Sequence, residues 1–177
     1  MKNFSLKFLD IMVGMVLGLG FQWWPVLQHP WQYLAFIFVY IDIVDFWMDY
    51  GPSLKKFPPK REIDVILDVA IMFALFLYIY STQLDIKYLF GAFTVTRIFD
   101  FFWMLSSKYE YRPAGLDGKY LDTWLVFDVV EGVIGGCLIL ASMFTTVSPL
   151  TLLLTFIGFR IVVRVLASRQ YKKIHFV

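Results

Sequence analysis

The chain alternates long apolar runs with short polar breaks. Six runs are legible, at about Phe8–Trp24, Trp31–Trp47, Ile63–Tyr80, Tyr88–Leu105, Leu121–Met143 and Leu150–Leu166. Each is close to the ~20 residues that cross a hydrocarbon core as a helix. Helices are the form expected, because a backbone in lipid must satisfy its polar groups within its own segment. The breaks carry Pro25 and Pro30, Gly51-Pro52, Pro58-Pro59, Pro113 with Gly115, and Pro149, all residues that interrupt helices. The expected fold is therefore an all-α integral membrane domain over residues 1–177 with six transmembrane helices.

A second pattern lies on top of the first. On the odd helices Asp10, Asp68 and Asp128 are each followed by a β-branched residue. On the even helices Leu34, Phe38, Asp42, Ile43 line up with Leu89, Phe93, Arg97, Ile98 and with Leu152, Phe156, Arg160, Ile161. The pattern predicts three tandem helical hairpins, about 4–53, 62–110 and 121–173, with pseudo-threefold symmetry about an axis along the membrane normal. Gly14 and Gly18 follow Asp10 as Gly132 and Gly136 follow Asp128. Glycines four apart share a helix face, so these four are expected to pack against a neighbouring helix.

Composition agrees with a membrane class. Hydrophobic residues make up 59% of the 177 and aromatics 20%, against about 45–50% apolar in soluble domains. The net charge of +2 and the scattered basic residues exclude a nucleic-acid track. No signal-peptide cleavage site is legible. The N-terminus, the two longer loops and the C-terminus hold Lys2, Lys7, Lys55, Lys56, Lys60, Arg61, Lys108, Arg112, Lys119, Arg169, Lys172 and Lys173, and the opposite loops only Lys87. That bias places both termini in the cytoplasm of a cell-membrane protein. Trp47, Trp103 and Trp124 are then expected at the inner interface. Cys137 is expected as a buried small hydrophobe, and His29 and His175 as solvated side chains.

The chemistry lies in charges within the spans. Asp10, Asp42, Asp45, Asp68, Asp100, Asp128 and Glu131 face only Arg97, Arg160 and Arg164. A charge inside a span costs at least about 2.5–3.5 kcal/mol, so these groups must pair, reach water or change protonation. The repeat predicts Asp68 with Arg97 and Asp128 with Arg160, and leaves Asp10 and Asp42 without a base of their own hairpin. Asp45 and Asp100 are expected to snorkel to the interface. The candidate layer is Asp10, Asp42, Asp68, Arg97, Asp128, Glu131, Arg160 and Arg164, and it points to proton- or cation-linked transport or channel activity, or to a membrane stress function, with no cofactor. A purely structural ring of ion pairs is the other non-enzymatic reading. The lipid bilayer is the expected partner, with a homo-oligomer or membrane complex allowed.

The third hairpin, Asp128 through Lys173, with Gly132-x-x-x-Gly136, Pro149 and a basic exit after Arg164, resembles the HdeD-type family of small membrane proteins. That resemblance implies six spans in three hairpins and a link to acid resistance. Asp42-x-x-Asp45 and Asp64-x-x-x-Asp68 also resemble the acid pairs of CDP-alcohol phosphatidyltransferases. This implies an alternative enzyme in which Asp42, Asp45, Asp64 and Asp68 hold Mg2+ or Mn2+. In place of that family's Gly-x-x-Ala-Arg the chain has Phe46-Trp47-Met48-Asp49-Tyr50. Trp124, Phe127 and Asp128, with Arg160 and Arg164, resemble the last two helices of a voltage sensor, but two arginines are few for a gating helix.

Overall fold

The computed structural model describes the backbone of residues 2–175 and the side chains of 7–169. Lys2, Lys172, Lys173 and His175 therefore lie outside the described side chains. Six α-helices follow in order: α1 Lys2–Gly20, α2 Pro30–Lys56, α3 Glu62–Tyr80, α4 Ile86–Tyr111, α5 Leu116–Phe144 and α6 Pro149–His175. Short 3₁₀ segments at Phe21–Val26 and Ser81–Gln83 close α1 and α3. The described residues contain no strand. Five helical segments are long and apolar enough to cross a membrane. The sixth helix, α2, matches them in length but carries Asp42, Asp45 and Asp49.

Local sequence explains the ends. Pro30 and Pro149 open α2 and α6, where a missing N–H costs nothing. The Gln32 carboxamide oxygen accepts from the backbone N–H of Gln28 (2.8 Å) and His29 (3.0 Å). Asp64 does the same for Arg61 (3.0 Å) at the start of α3. Between α4 and α5, Arg112 at φ 42° and Gly115 at φ 63° take left-handed conformations, which turns the chain around Pro113 in a few residues.

The helices run past the predicted spans. α2 continues through Pro52 to Lys56, α4 to Tyr111, and α5 begins at Leu116. Nothing ends a helix at a membrane boundary, and charged pairs stabilise the extensions: Lys56 with Asp117 at 2.5 Å, and Lys108 with Asp122.

Neighbouring helices alternate in direction. Tyr40 donates to the Leu17 carbonyl while Trp47 reaches Asp10, so α1 and α2 are antiparallel. Ser106 near Asp64 and Tyr78 near Phe93 do the same for α3 and α4. α2 and α6 are parallel, with Phe38 on Phe156, Asp42 on Arg160 and Asp45 on Arg164. The most extensive helix–helix packing is between α4 and α5, which belong to different predicted hairpins.

The surface is inverted relative to a water-soluble protein. Phe73 (60%) and Val133 (61%) are exposed, while Asp100 (0%) and Glu131 (3%) are buried. Large apolar side chains outside and paired charges inside is the arrangement lipid favours.

The glycine expectation is corrected. A Cβ added at Gly14, Gly18 or Gly136 would meet nothing, and at Gly132 only Arg97 Cβ at 4.0 Å. The inward face of α5 runs through Asp128, Glu131, Gly135 and Leu138, and that of α1 through Leu9, Val13, Val16 and Gly20. The close approaches are instead at Gly20, against Ile79 and Tyr40, and at Gly135, against Thr94 and Phe93. Cys137 sits beside this inward stripe and is exposed rather than buried. Trp103 and Trp124 are buried in the core, so only Trp47 of the three stays at the surface.

Candidate functional site

Four helices meet around an acidic seam. α2 presents Asp42, Asp45 and Asp49, spacings that share one helix face. α4 presents Arg97 and Asp100, α5 Asp128 and Glu131, and α6 Arg160 and Arg164.

Glu131 is the centre. One oxygen takes Arg160 Nη1 and the other lies 3.3 Å from Arg97 Nη1. Arg160 reaches on to Asp42 through Nη2, and the Tyr78 hydroxyl donates to the other Asp42 oxygen at 3.4 Å. Arg97 Nη1 also lies 3.3 Å from Asp100 and 3.4 Å from Asp128. Arg164 spans Asp45 (2.5 Å) and Asp49. The guanidiniums rest on aromatic faces: Arg97 on Phe93 and Phe46, each at 5.6 Å, and Arg160 on Phe93 at 5.2 Å. Such contacts hold a cation in a poorly hydrated place.

A cavity of about 40 Å³ lies in the seam, lined by Asp45, Asp49, Arg97, Asp128, Glu131, Arg160 and Arg164 with Trp124 and apolar neighbours. At about 10–15 Å³ per water it has room for roughly three or four. Beside the seam, Phe38, Phe90 and Phe93 all pack on the buried Phe156 ring at 4.8 to 5.6 Å. The cavity is part-open at Asp45 and Arg164, whose side chains are 31% and 25% exposed.

The predicted pairs are exchanged. Asp128 meets Arg97 rather than Arg160, and Arg160 serves Asp42 and Glu131. Asp68 has no arginine partner. It accepts from the Tyr50 hydroxyl at 2.6 Å and from the Trp103 side chain. The reason is the tight α4–α5 packing, which turns Arg97 away from α3. Asp10 is exposed and takes the Trp47 indole N–H at 2.9 Å, outside the seam. Asp45 reaches the surface as expected, but Asp100 does not snorkel and is fully buried.

The four acids of the metal alternative do not converge. Asp42, Asp45, Asp64 and Asp68 are held respectively by Arg160, Arg164, Arg61 with Ser106, and Tyr50. Among the described residues no group of three His, Cys, Asp or Glu could hold a metal ion. Sequence reasoning missed Asp49 and the roles of Tyr50 and Tyr78. The spacing of Asp49 from Asp42 and Asp45 was a usable signal; nothing local marked the tyrosines.

Comparison with protein-family models, with curated proteins and with solved structures yields no match for this chain.

Proposed function

We propose that the chain is a multi-pass membrane protein that carries protons or another small cation along the seam between α2, α4, α5 and α6. The supporting observation is a charge mismatch. Among the described residues six carboxylates, Asp42, Asp45, Asp49, Asp100, Asp128 and Glu131, share the three guanidiniums of Arg97, Arg160 and Arg164, and all of these but Asp42 and Asp100 line one cavity. A ring built only to clamp helices needs a cation for each anion, because an uncompensated buried charge is costly. Surplus negative charge beside a part-open cavity suits a mobile positive ion.

In this reading both termini are cytoplasmic, from the Lys and Arg bias, and the seam opens on that side. The three-hairpin repeat belongs to the same proposal. It is supported by a recurring contact: Trp47 on Asp10 in the first hairpin and Trp103 on Asp68 in the second.

The experiment is flux in liposomes. Wild type is expected to dissipate a proton or cation gradient, and Glu131→Gln, checked for helix content and monodispersity, to lose most of that flux. Absence of flux under every gradient removes the reading.

A further inference from the structure

We propose that Asp100 and Asp128 share a single proton, one carboxyl donating a hydrogen bond to the other, and that this pair is the ion-carrying site of the seam. The second half rests on the transport reading above; the first stands on geometry.

Asp100 is fully buried and Asp128 is 5% exposed. Neither Asp100 oxygen, nor Asp128 Oδ2, accepts a hydrogen bond from a described residue. The two carboxyls converge on one nitrogen, Arg97 Nη1, at 3.3 and 3.4 Å. A hydrogen bond between two carboxyls requires a proton on one of them, because an ionised carboxylate only accepts.

The arginines and the tyrosine around the pair do not replace that proton. On α4, Arg97 Nη1 lies 3.3 Å from Asp100, 3.4 Å from Asp128 and 3.3 Å from Glu131. One guanidinium nitrogen of this kind carries two hydrogens, so it cannot serve three carboxylates. Arg97 Nε meets no acceptor, so the guanidinium fork is not turned to serve the pair. On α6, Arg160 is committed to Asp42 and Glu131. On α2, the Tyr50 hydroxyl is committed to Asp68 of α3. On α5 the neighbours in the cavity lining are Glu131, itself an acid, and the Trp124 indole. Like charges sharing a buried site resolve by one of them keeping its proton. Transfer within the pair exchanges the O–H of one carboxyl for that of the other and leaves the pair's charge at −1.

A metal cation is a poorer occupant than a proton. It needs several converging oxygens, and among the described residues no such group exists.

The test is infrared spectroscopy of the protein in lipid at neutral pH. Wild type is expected to show the carbonyl stretch of a protonated carboxyl. It should shift in heavy water and shift again when aspartate is isotopically labelled. The band should vanish in Asp100→Asn and in Asp128→Asn and persist in Asp68→Asn. If the two Asn variants do not fold, aspartate-labelled Asp68→Asn protein still decides, because its band must then come from another aspartate than Asp68. No protonated-carboxyl band, a band insensitive to aspartate labelling, or a band surviving in both Asn variants overturns the shared proton. A carboxylate signal that instead tracks sodium or potassium also overturns it. The expected band together with absent liposome flux upholds the shared proton and overturns only its role in transport.

Discussion

Asp68 and Asp128 hold corresponding places in the sequence pattern, yet the protein treats them in opposite ways. Asp68 is met by neutral donors, Tyr50 and Trp103, and forms a closed local site. Asp128 is met by a cation that it must share with Asp100 and Glu131. Both aspartates are about equally buried, at 5% exposure. The difference therefore lies in connection. The Asp68 site shares no guanidinium with the other acids, whereas the seam links acids and arginines from α2, α4, α5 and α6 into one network. In a network of this kind, removing one charge leaves several others uncompensated.

The sharpest way to break the comparison is to remove one member from each region. Arg160→Met strands Asp42 and Glu131 together. Breaking a buried pair typically costs about 3–5 kcal/mol, so a large drop in unfolding midpoint is expected in detergent. Asp68→Asn keeps a carbonyl oxygen for Tyr50 and Trp103 and removes a buried charge. Its effect should stay within the ~1 kcal/mol of a typical hydrogen bond. Comparable losses in the two variants would mean that Asp68 belongs to the network after all.

The next contrast concerns the packing that turns Arg97 toward α5. Gly135 faces Thr94 and Phe93, and a Cβ there would stand 2.3 Å from Thr94 Oγ1 and 3.3 Å from Phe93. Gly135→Val should therefore cost about 1–3 kcal/mol, the usual range for overpacking, and should weaken the seam by pushing α4 from α5. Gly136 faces open space. Gly136→Ala should be neutral or stabilise by up to about 1 kcal/mol, because glycine is the poorer helix former. Thermal unfolding of the two neighbours in the same detergent separates the faces.

These contrasts show what was legible in the chain. The helices were, because a run of apolar residues between Pro and Gly breaks admits few other structures in lipid. The charged layer was legible in part: Asp42, Arg97, Asp128, Glu131, Arg160 and Arg164 meet in the seam, whereas Asp10 and Asp68 stand outside it and Asp45, Asp49 and Asp100 join it. The partners were not. Periodicity gives the face a residue occupies but not which neighbour that face meets. α4 turns Arg97 to α5 instead of α3 through contacts at Gly135, Thr94 and Phe93, which are far apart in sequence. Gly132-x-x-x-Gly136 misled for the same reason: it marks a small-residue face, and Gly135 beside it makes the contact. Asp68 paired with tyrosine and tryptophan was invisible to reasoning that matched acids only to bases.

The smallest expected effect separates two contacts that look alike. Trp47 donates to Asp10 in the first hairpin as Trp103 does to Asp68 in the second. Asp10 is exposed, so water or lipid head groups can replace the indole. Trp47→Phe should change stability by no more than about 0.5 kcal/mol, as for other surface substitutions. Trp103 is 1% exposed, and Trp103→Phe leaves Asp68 short of a donor where none can be borrowed. That unsatisfied acceptor costs about 1–3 kcal/mol, with the lost ring volume adding to it. If Trp47→Phe costs as much as Trp103→Phe, Asp10 is not an outlying acid but a working part of the bundle. The seam would then extend further into the first hairpin and include α1.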